Sequence, residues 1–405
     1  MATFSDKPVS EQVEELSRGV EAMYTREELA QRLTRAAAEG RQLRVKLGLD
    51  PTAPDIHLGH TVVLQKMRQF QDLGHKAVLI IGDYTARVGD PSGANKTRPI
   101  LSPEQIAANA QTYIDQAGKI LDLSPEKLEV RSNSEWLEKL TFMEVLQMAA
   151  RKTVAQMIQR DSFKQRLAQN QDVFLHEFLY PIMQGYDSVM IHADVELGGS
   201  DQTFNNLVGR DLQKAYNQPP QIVVIMPILV GLDGEQKMSK SKGNYIGVTE
   251  SPKEMFGKVM SIPDGLMTNY FTLLTDLPPA EIAALCDAAT THPRQAKEIL
   301  GKRIVAQFHS QADADEAAAE FARVFSQHAV PADMPDVKAT AETMNIVDLV
   351  LKAGFADSKN AARRLVEQNA VSLDEKKITD PKTCIPLHAG QVLRVGKLKF
   401  GRIVL

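Results

Sequence analysis

Cysteine is scarce in this 405-residue chain: Cys286 and Cys384 stand far apart, and neither has a second Cys or a His at metal-ligand spacing. Neither a disulfide framework nor a structural zinc is expected. Long apolar runs are also missing. No stretch approaches the ~20 residues that span a bilayer, and the opening MATFSDKPVSEQVEELSRGV has no apolar segment of signal-peptide length. A cytosolic protein that does not enter a membrane is the expectation. Proline and glycine follow no repeat, which argues against fibrous folds, and 43% hydrophobic with 24% charged residues argues against disorder.

The length calls for two or three domains. Charge is unevenly shared between them. Residues 343–405 hold 11 Lys+Arg against 6 Asp+Glu, in a chain whose formal net charge is -4. A basic tail on an acidic body suits a polyanionic partner gripped mainly through the tail, because phosphate attraction follows local charge; a solvated basic surface is the plainer alternative.

Val9, Val13, Leu16, Val20 and Met23 recur at the helical period. Leu43–Asp50 reads as a strand, Gly59–Leu73 as a helix and Ala77–Gly82 as the next strand. Further strands are expected at Leu128–Ser132, Val195–Gly198 and Ile222–Leu229, with helices at Pro103–Leu121 and Gln202–Ala215 between them. This alternation predicts an α/β fold with a doubly wound parallel sheet. A helical stretch at about 135–180 interrupts it and reads as an insertion, so the first domain spans 1–247. Helical periodicity then covers 248–330, a Pro-containing linker 331–342, and a small α+β module 343–405, with helices at Ile346–Lys352 and Lys359–Glu367.

Two segments carry chemistry. LDPTAPDIHLGH, Leu49–His60, places two imidazoles and a glycine where the first strand hands over to a helix, the phosphate-binding corner of such a sheet. Free N–H groups there favour anions, Gly59 allows close approach to the backbone, and His57 and His60 can donate to phosphate. The second, GEQKMSKSKGN, Gly234–Asn244, sets Lys237 and Lys240 three apart beside Ser239 and Ser241, ammonium groups suited to the phosphates of ATP. Either segment alone could be ordinary surface; the two together are hard to read that way.

With His-x-Gly-His and Lys-Met-Ser-Lys-Ser both present, the chain resembles the class I aminoacyl-tRNA synthetases, and more specifically the bacterial tyrosyl-tRNA synthetases. That resemblance runs over nearly the whole chain in motif order and includes GDPSG at Gly89–Gly93 and GGSDQ at Gly198–Gln202. It implies a Rossmann-like catalytic domain with a helical insertion, a helical anticodon-side domain, and a C-terminal module resembling a ribosomal small-subunit RNA-binding protein. The implied activity is tyrosine–tRNA ligation, with tyrosine, magnesium-bound ATP and tRNA(Tyr) as partners, no permanently bound cofactor or metal, and a homodimer formed through the insertion.

Carried over residue by residue, the resemblance assigns catalysis to His57, His60, Lys237 and Lys240. ATP would be held by Asp50, Thr52, His57, Gly59, His60, Lys237, Met238, Ser239, Lys240 and Ser241. Tyr180, Gln184, Asp90 and Gln202 would hold the α-amino end of tyrosine and Asp187 its hydroxyl. Tyr180, Gln184 and Asp187 share one face of a helix expected to open at Pro181. Lys359, Arg363, Arg364 and Lys399 are candidates for tRNA. Phe142, Val145, Leu146 and Met148 belong to an interface or to the core. One departure stands out: many family members carry tyrosine four residues before the aspartate of the first motif, where this chain has Lys46. Lys46 either faces solvent or pairs with Asp187. A tryptophanyl-tRNA synthetase, a small-molecule nucleotidyltransferase and a non-catalytic RNA-binding scaffold are the rival readings.

Overall fold

A computed structural model describes residues 5–51, 55–90, 102–326, 334–339, 341, 343–374, 376–396 and 399–404. The chain divides into two compact units, Met1–Ala314 and Asp315–Leu405. In the first, strands β1 (Ala22–Tyr24), β2 (Arg44–Leu49), β3 (Lys76–Ile81), β4 (Leu128–Ser132), β5 (Val195–Gly199) and β6 (Ile222–Met226) form one sheet in the order β1-β6-β5-β2-β3-β4. All neighbouring pairs are parallel except β1 with β6. The inner strands are buried runs, VLII in β3 and IVVIM in β6, as expected where helices cover both faces.

The chain walks outward from β2 to β3 and β4, then returns to lay β5 and β6 on the other side of β2. The reversal between β2 and β5 leaves a crevice at their carboxyl ends, where open α/β sheets bind ligands. Three helices set its walls: Leu58–Asp72 after β2, Leu175–Met190 before β5 and Thr203–Ala215 after it.

Several expectations need correction. The periodic N-terminal segment is not one helix: the helix stops at Ser17, and Met23 lies in edge strand β1 opposite Val224. Pro181 does not open its helix, which begins at Leu175 and has Pro181 inside it. Proline has no N–H to offer the carbonyl four residues earlier, yet the helix persists because its buried face packs against the Thr203–Ala215 helix. The stretch read as an insertion consists of short helices, Ser134–Leu137, Phe142–Ala149, Val154–Met157 and Asp161–Ala168. Met148 is buried there and Val145 half-buried, whereas Phe142 and Leu146 are exposed, as are Met143 and Val154.

After β6 the chain is helical from Pro252–Met260 through Pro293–Phe308. The second unit holds a five-stranded sheet in the order Lys376–Ile378, Val371–Leu373, Val392–Val395, Lys399–Val404, Asp336–Lys338. Its helices Ile346–Lys352 and Lys359–Glu367 pack on a core of Leu349, Val350, Ala362, Val366 and Leu393. Asp336–Lys338 falls in the stretch read as linker, yet it pairs in parallel with the Lys399–Val404 strand and buries Val337. Among the described residues no helix is long and apolar enough to cross a membrane, and no cluster of three metal-ligating side chains occurs. Both cysteines are free.

Candidate active site

A cleft of about 360 Å³ opens at the reversal between β2 and β5. Asp50, His57, Gly59, His60, Asp90, Tyr180, Gln184, Asp187, Gln202, Lys237 and Met238 all line it. Sequence reasoning placed these eleven on five separate segments, and the fold gathers them. Ser239, Lys240 and Ser241 continue the loop beyond the lining. Thr52 lies outside the described residues. Lys359, Arg363, Arg364 and Lys399 belong to the second unit, where all four are exposed. Lys359 is ion-paired with Asp348 at 2.8 Å, and Lys399 donates to the Phe355 carbonyl at 2.8 Å.

The histidine corner is a helix cap. His57 has extended backbone at the N-cap of the Leu58–Asp72 helix, and its Nδ1 accepts from the Gly59 N–H at 3.1 Å; His60 Nδ1 accepts from the His57 N–H at 3.3 Å. Gly59 is needed for a reason the sequence did not reveal: a Cβ there would meet the His57 ring at 2.9 Å. The two rings lie 3.9 Å apart. Burial above all, then the charges of His60, Lys240 and Lys237, drives the His57 pKa down to about 2. Burial followed by Lys237 and Lys240 lowers that of His60 to about 4, against a smaller opposing effect of Asp201. Both imidazoles are therefore neutral. With each Nδ1 accepting a backbone N–H, the ring proton sits on Nε2.

The lysine loop is tied to this corner by backbone. His57 and Gly247 form an antiparallel bridge, with Leu58 N–H to Ile246 O at 2.9 Å and Val248 N–H to Ile56 O at 3.1 Å. Lys237 pairs with Asp201 at 2.5 Å and Lys240 with Asp55 at 2.6 Å. Buried Met238 anchors the loop through its N–H to Leu229 O, and Ser239 Oγ meets Ser241 Oγ at 2.8 Å. Asn244 is the internal brace: its side chain accepts from the Ser239 N–H at 2.8 Å and donates to Asp233 at 2.7 Å and the Lys237 carbonyl at 3.2 Å.

The other end of the cleft is a buried polar pocket. Tyr180 donates to Asp50 at 2.7 Å, and Asp50 accepts from Thr85 at 2.8 Å. Gly82 makes room for this pair, since a Cβ there would lie 1.9 Å from Asp50 Oδ1. Asp90 accepts from Gln202 at 2.7 Å and from buried Arg160 of the insertion at 2.8 Å. Asp187 accepts from Trp136 Nε1 at 2.8 Å and more weakly from Asn133 at 3.4 Å. Burial pushes the Asp187 carboxyl up to about 7, opposed by the nearby charge of Lys46 and the Trp136 and Asn133 N–H groups.

Lys46 follows neither expected course. It is fully buried, so it does not face solvent, and its Nζ pairs with Glu196 at 2.9 Å rather than with Asp187. Thr85, Asn133, Trp136, Arg160 and Glu196 were all missed by sequence reasoning. Thr85, Asn133 and Trp136 follow the carboxyl ends of β3 and β4, a position that could have flagged them.

Neutral histidines at a helix cap, a lysine loop bridged to them by backbone and a polar pocket share one cleft at the carboxyl ends of a doubly wound sheet, the arrangement expected of a class I aminoacyl-tRNA synthetase. The family model described as tRNA synthetases class I (W and Y) matches residues 38–326, and that of the tyrosine–tRNA ligase SYY-like C-terminal domain matches residues 325–400. Tyrosine–tRNA ligase of Moorella thermoacetica is 52% identical over 98% of this chain and 97% of its own, and that of Ralstonia nicotianae is 51% identical over 97% and 100%. The crystal structure of tyrosyl-tRNA synthetase from Archaeoglobus fulgidus complexed with L-tyrosine shares the fold, with a TM-score of 0.62 at 23% identity over 77% of this chain and all of the other. The chain belongs to the tyrosine–tRNA ligase family.

Proposed function

We propose that the cleft activates tyrosine with ATP and passes it to tRNA(Tyr), with the second unit contributing to the grip on tRNA. The observation that carries this reading is the backbone bridge between His57 and Gly247, which holds the histidine corner and the lysine loop at the mouth of one pocket with Asp187 inside it. Names of relatives that match nearly end to end support the amino acid.

The tyrosine hydroxyl donates to Asp187, and its ammonium group lies among Tyr180, Gln184, Asp90 and Gln202. A carboxylate oxygen of tyrosine attacks the α-phosphorus of magnesium-bound ATP in line. The bond from that phosphorus to the bridging oxygen breaks, and its electron pair leaves with pyrophosphate. The Nε2–H groups of neutral His57 and His60 donate to the phosphate without a change of protonation state, while Lys237 and Lys240 leave Asp201 and Asp55 for the pyrophosphate oxygens. A ribose hydroxyl of the terminal adenosine then attacks the carbonyl carbon of the mixed anhydride, the bond from that carbon to the phosphate oxygen breaks, and AMP leaves with the hydroxyl proton on its phosphate. A homodimer forms through the exposed apolar residues of the insertion, and the enzyme works in the cytosol.

Tyrosine-dependent pyrophosphate exchange into ATP, run with each amino acid separately and without tRNA, tests this. Exchange with tyrosine alone is the expected result. Exchange with tryptophan instead, or with no amino acid, would overturn it.

A further inference from the structure

Lys46 and Glu196 occupy matched positions on β2 and β5, where parallel pairing sets them side by side on one face of the sheet. That face meets the Leu175–Met190 helix. Both side chains are essentially inaccessible to water, at 0% and 1% exposure. All three ammonium protons of Lys46 find acceptors: Glu196 Oε1 at 2.9 Å, the Gln184 carbonyl at 2.8 Å and Ser188 Oγ at 2.8 Å. Glu196 is equally saturated. Its Oε1 accepts from Gln184 Nε2 at 3.3 Å as well as from Lys46, and its Oε2 accepts from Ser188 at 3.3 Å and from Gln221. Gly209 leaves room for this cluster, since a Cβ there would lie 2.5 Å from Gln221 Nε2.

We infer that the Lys46–Glu196 pair is a positioning device for Gln184, fixing which end of its carboxamide faces the substrate ammonium. The inference rests on the assignment of Gln184 to the amino end of tyrosine. An amide can present either end to a ligand, and its two orientations have nearly the same shape. An ionised carboxylate only accepts. Glu196, together with the Asn206 side chain 3.0 Å from Nε2, therefore draws Nε2 to its side and turns Oε1 away, where it accepts from Asn205 at 3.0 Å and can accept from an ammonium group. Lys46 supplies the countercharge that a buried carboxylate requires and holds the Gln184 backbone through its carbonyl. The two residues act through Gln184 without touching the substrate.

The test is Glu196→Gln together with the double variant Lys46→Met/Glu196→Gln, which leaves no unpaired buried charge and guards against loss of folding in either single change. Competition against tyrosine-dependent pyrophosphate exchange is read with tyramine, which keeps the ammonium group, and with 3-(4-hydroxyphenyl)propionate, which lacks it. Affinity for tyramine and the KM for tyrosine are expected to weaken about tenfold in both variants, the equivalent of one misdirected hydrogen bond, with kcat nearly unchanged. Affinity for the propionate should stay within about twofold. Parallel losses for both ligands would show a general packing defect and overturn the proposal. If the unsubstituted enzyme discriminates between the two ligands and Glu196→Gln discriminates equally well, the assignment of Gln184 stands and the positioning role alone falls. If the unsubstituted enzyme does not prefer the ammonium-bearing ligand, the assignment itself is wrong and the proposal falls with it.

Discussion

Replacing Asn244 with alanine isolates what the order of the lysine loop is worth. The residue is buried and does not itself line the cleft; it ties the Ser239 N–H, the Asp233 carboxylate and the Lys237 carbonyl together. Alanine removes two good hydrogen bonds, at 2.8 and 2.7 Å, and two weaker ones, to the Lys237 and Gln236 carbonyls. At about 1 kcal/mol net for each good bond, the ordered loop loses about 2 kcal/mol, or roughly thirtyfold in the population that presents Lys237 and Lys240 together. If those lysines act chiefly on the leaving pyrophosphate, the loss appears in kcat for adenylation, with the KM for tyrosine unchanged. Single-turnover formation of tyrosyl-adenylate across a tyrosine titration measures both. Asn244→Ala combined with Lys237→Ala should be clearly less than additive, because an ordered loop without its lysine has little left to lose. A rise in the KM for tyrosine matching the fall in kcat, or full additivity, would refute the reasoning.

The other expectations are briefer. Lys237→Ala lowers the adenylation rate by about a hundredfold or more while tyrosine binding changes by less than about threefold, checked by single-turnover rates and equilibrium dialysis. Asp187→Asn keeps an acceptor for Trp136 and removes a charged one from the substrate hydroxyl; exchange assays should show the preference for tyrosine over phenylalanine fall by at least about tenfold. His57, His60 and buried His75 have folded pKa values of about 2, 4 and 4, all below the ordinary 6.5. The unfolded chain then binds more protons below pH 6.5, so this stability is in full above 6.5 and is lost as pH falls toward 4, by about 3 kcal/mol for His75. Denaturant melts of His75→Gln should show a shallower decline over that window, and an unchanged slope would refute the assignment. Phe142→Glu with Leu146→Glu should yield a monomer in sedimentation, and a persistent dimer would place the interface elsewhere.

What the sequence made legible follows from chain geometry. A strand-to-helix corner delivers its chemistry in one contiguous stretch, so His57, Gly59 and His60 announce themselves, as do Lys237 and Lys240 on their loop. The long inner strands and the helices between them were readable because apolar period and length agree. Ala22–Tyr24 and Asp336–Lys338 were not readable: three residues are too few to show an alternation, and their partners, Val223–Ile225 and Arg402–Val404, lie far along the chain. Pro181 misled because the preference of proline for the first turn is a tendency that tertiary packing overrides.

The polar residues that support the site were hidden for a different reason. A helix cap made of imidazole looks in sequence like a pair of free histidines, and nothing local shows that each Nδ1 is already engaged. Lys46 could have been solved, however. A doubly wound sheet covers both faces of its inner strands, so a lysine in the middle of RVKLGL cannot reach water and needs an acid on an adjacent strand. Of the strands flanking β2, KAVLII offers no acid and VELGG offers one, Glu196. The strand order that follows from right-handed crossovers and the need to neutralise one buried charge are together enough to pair two residues 150 positions apart.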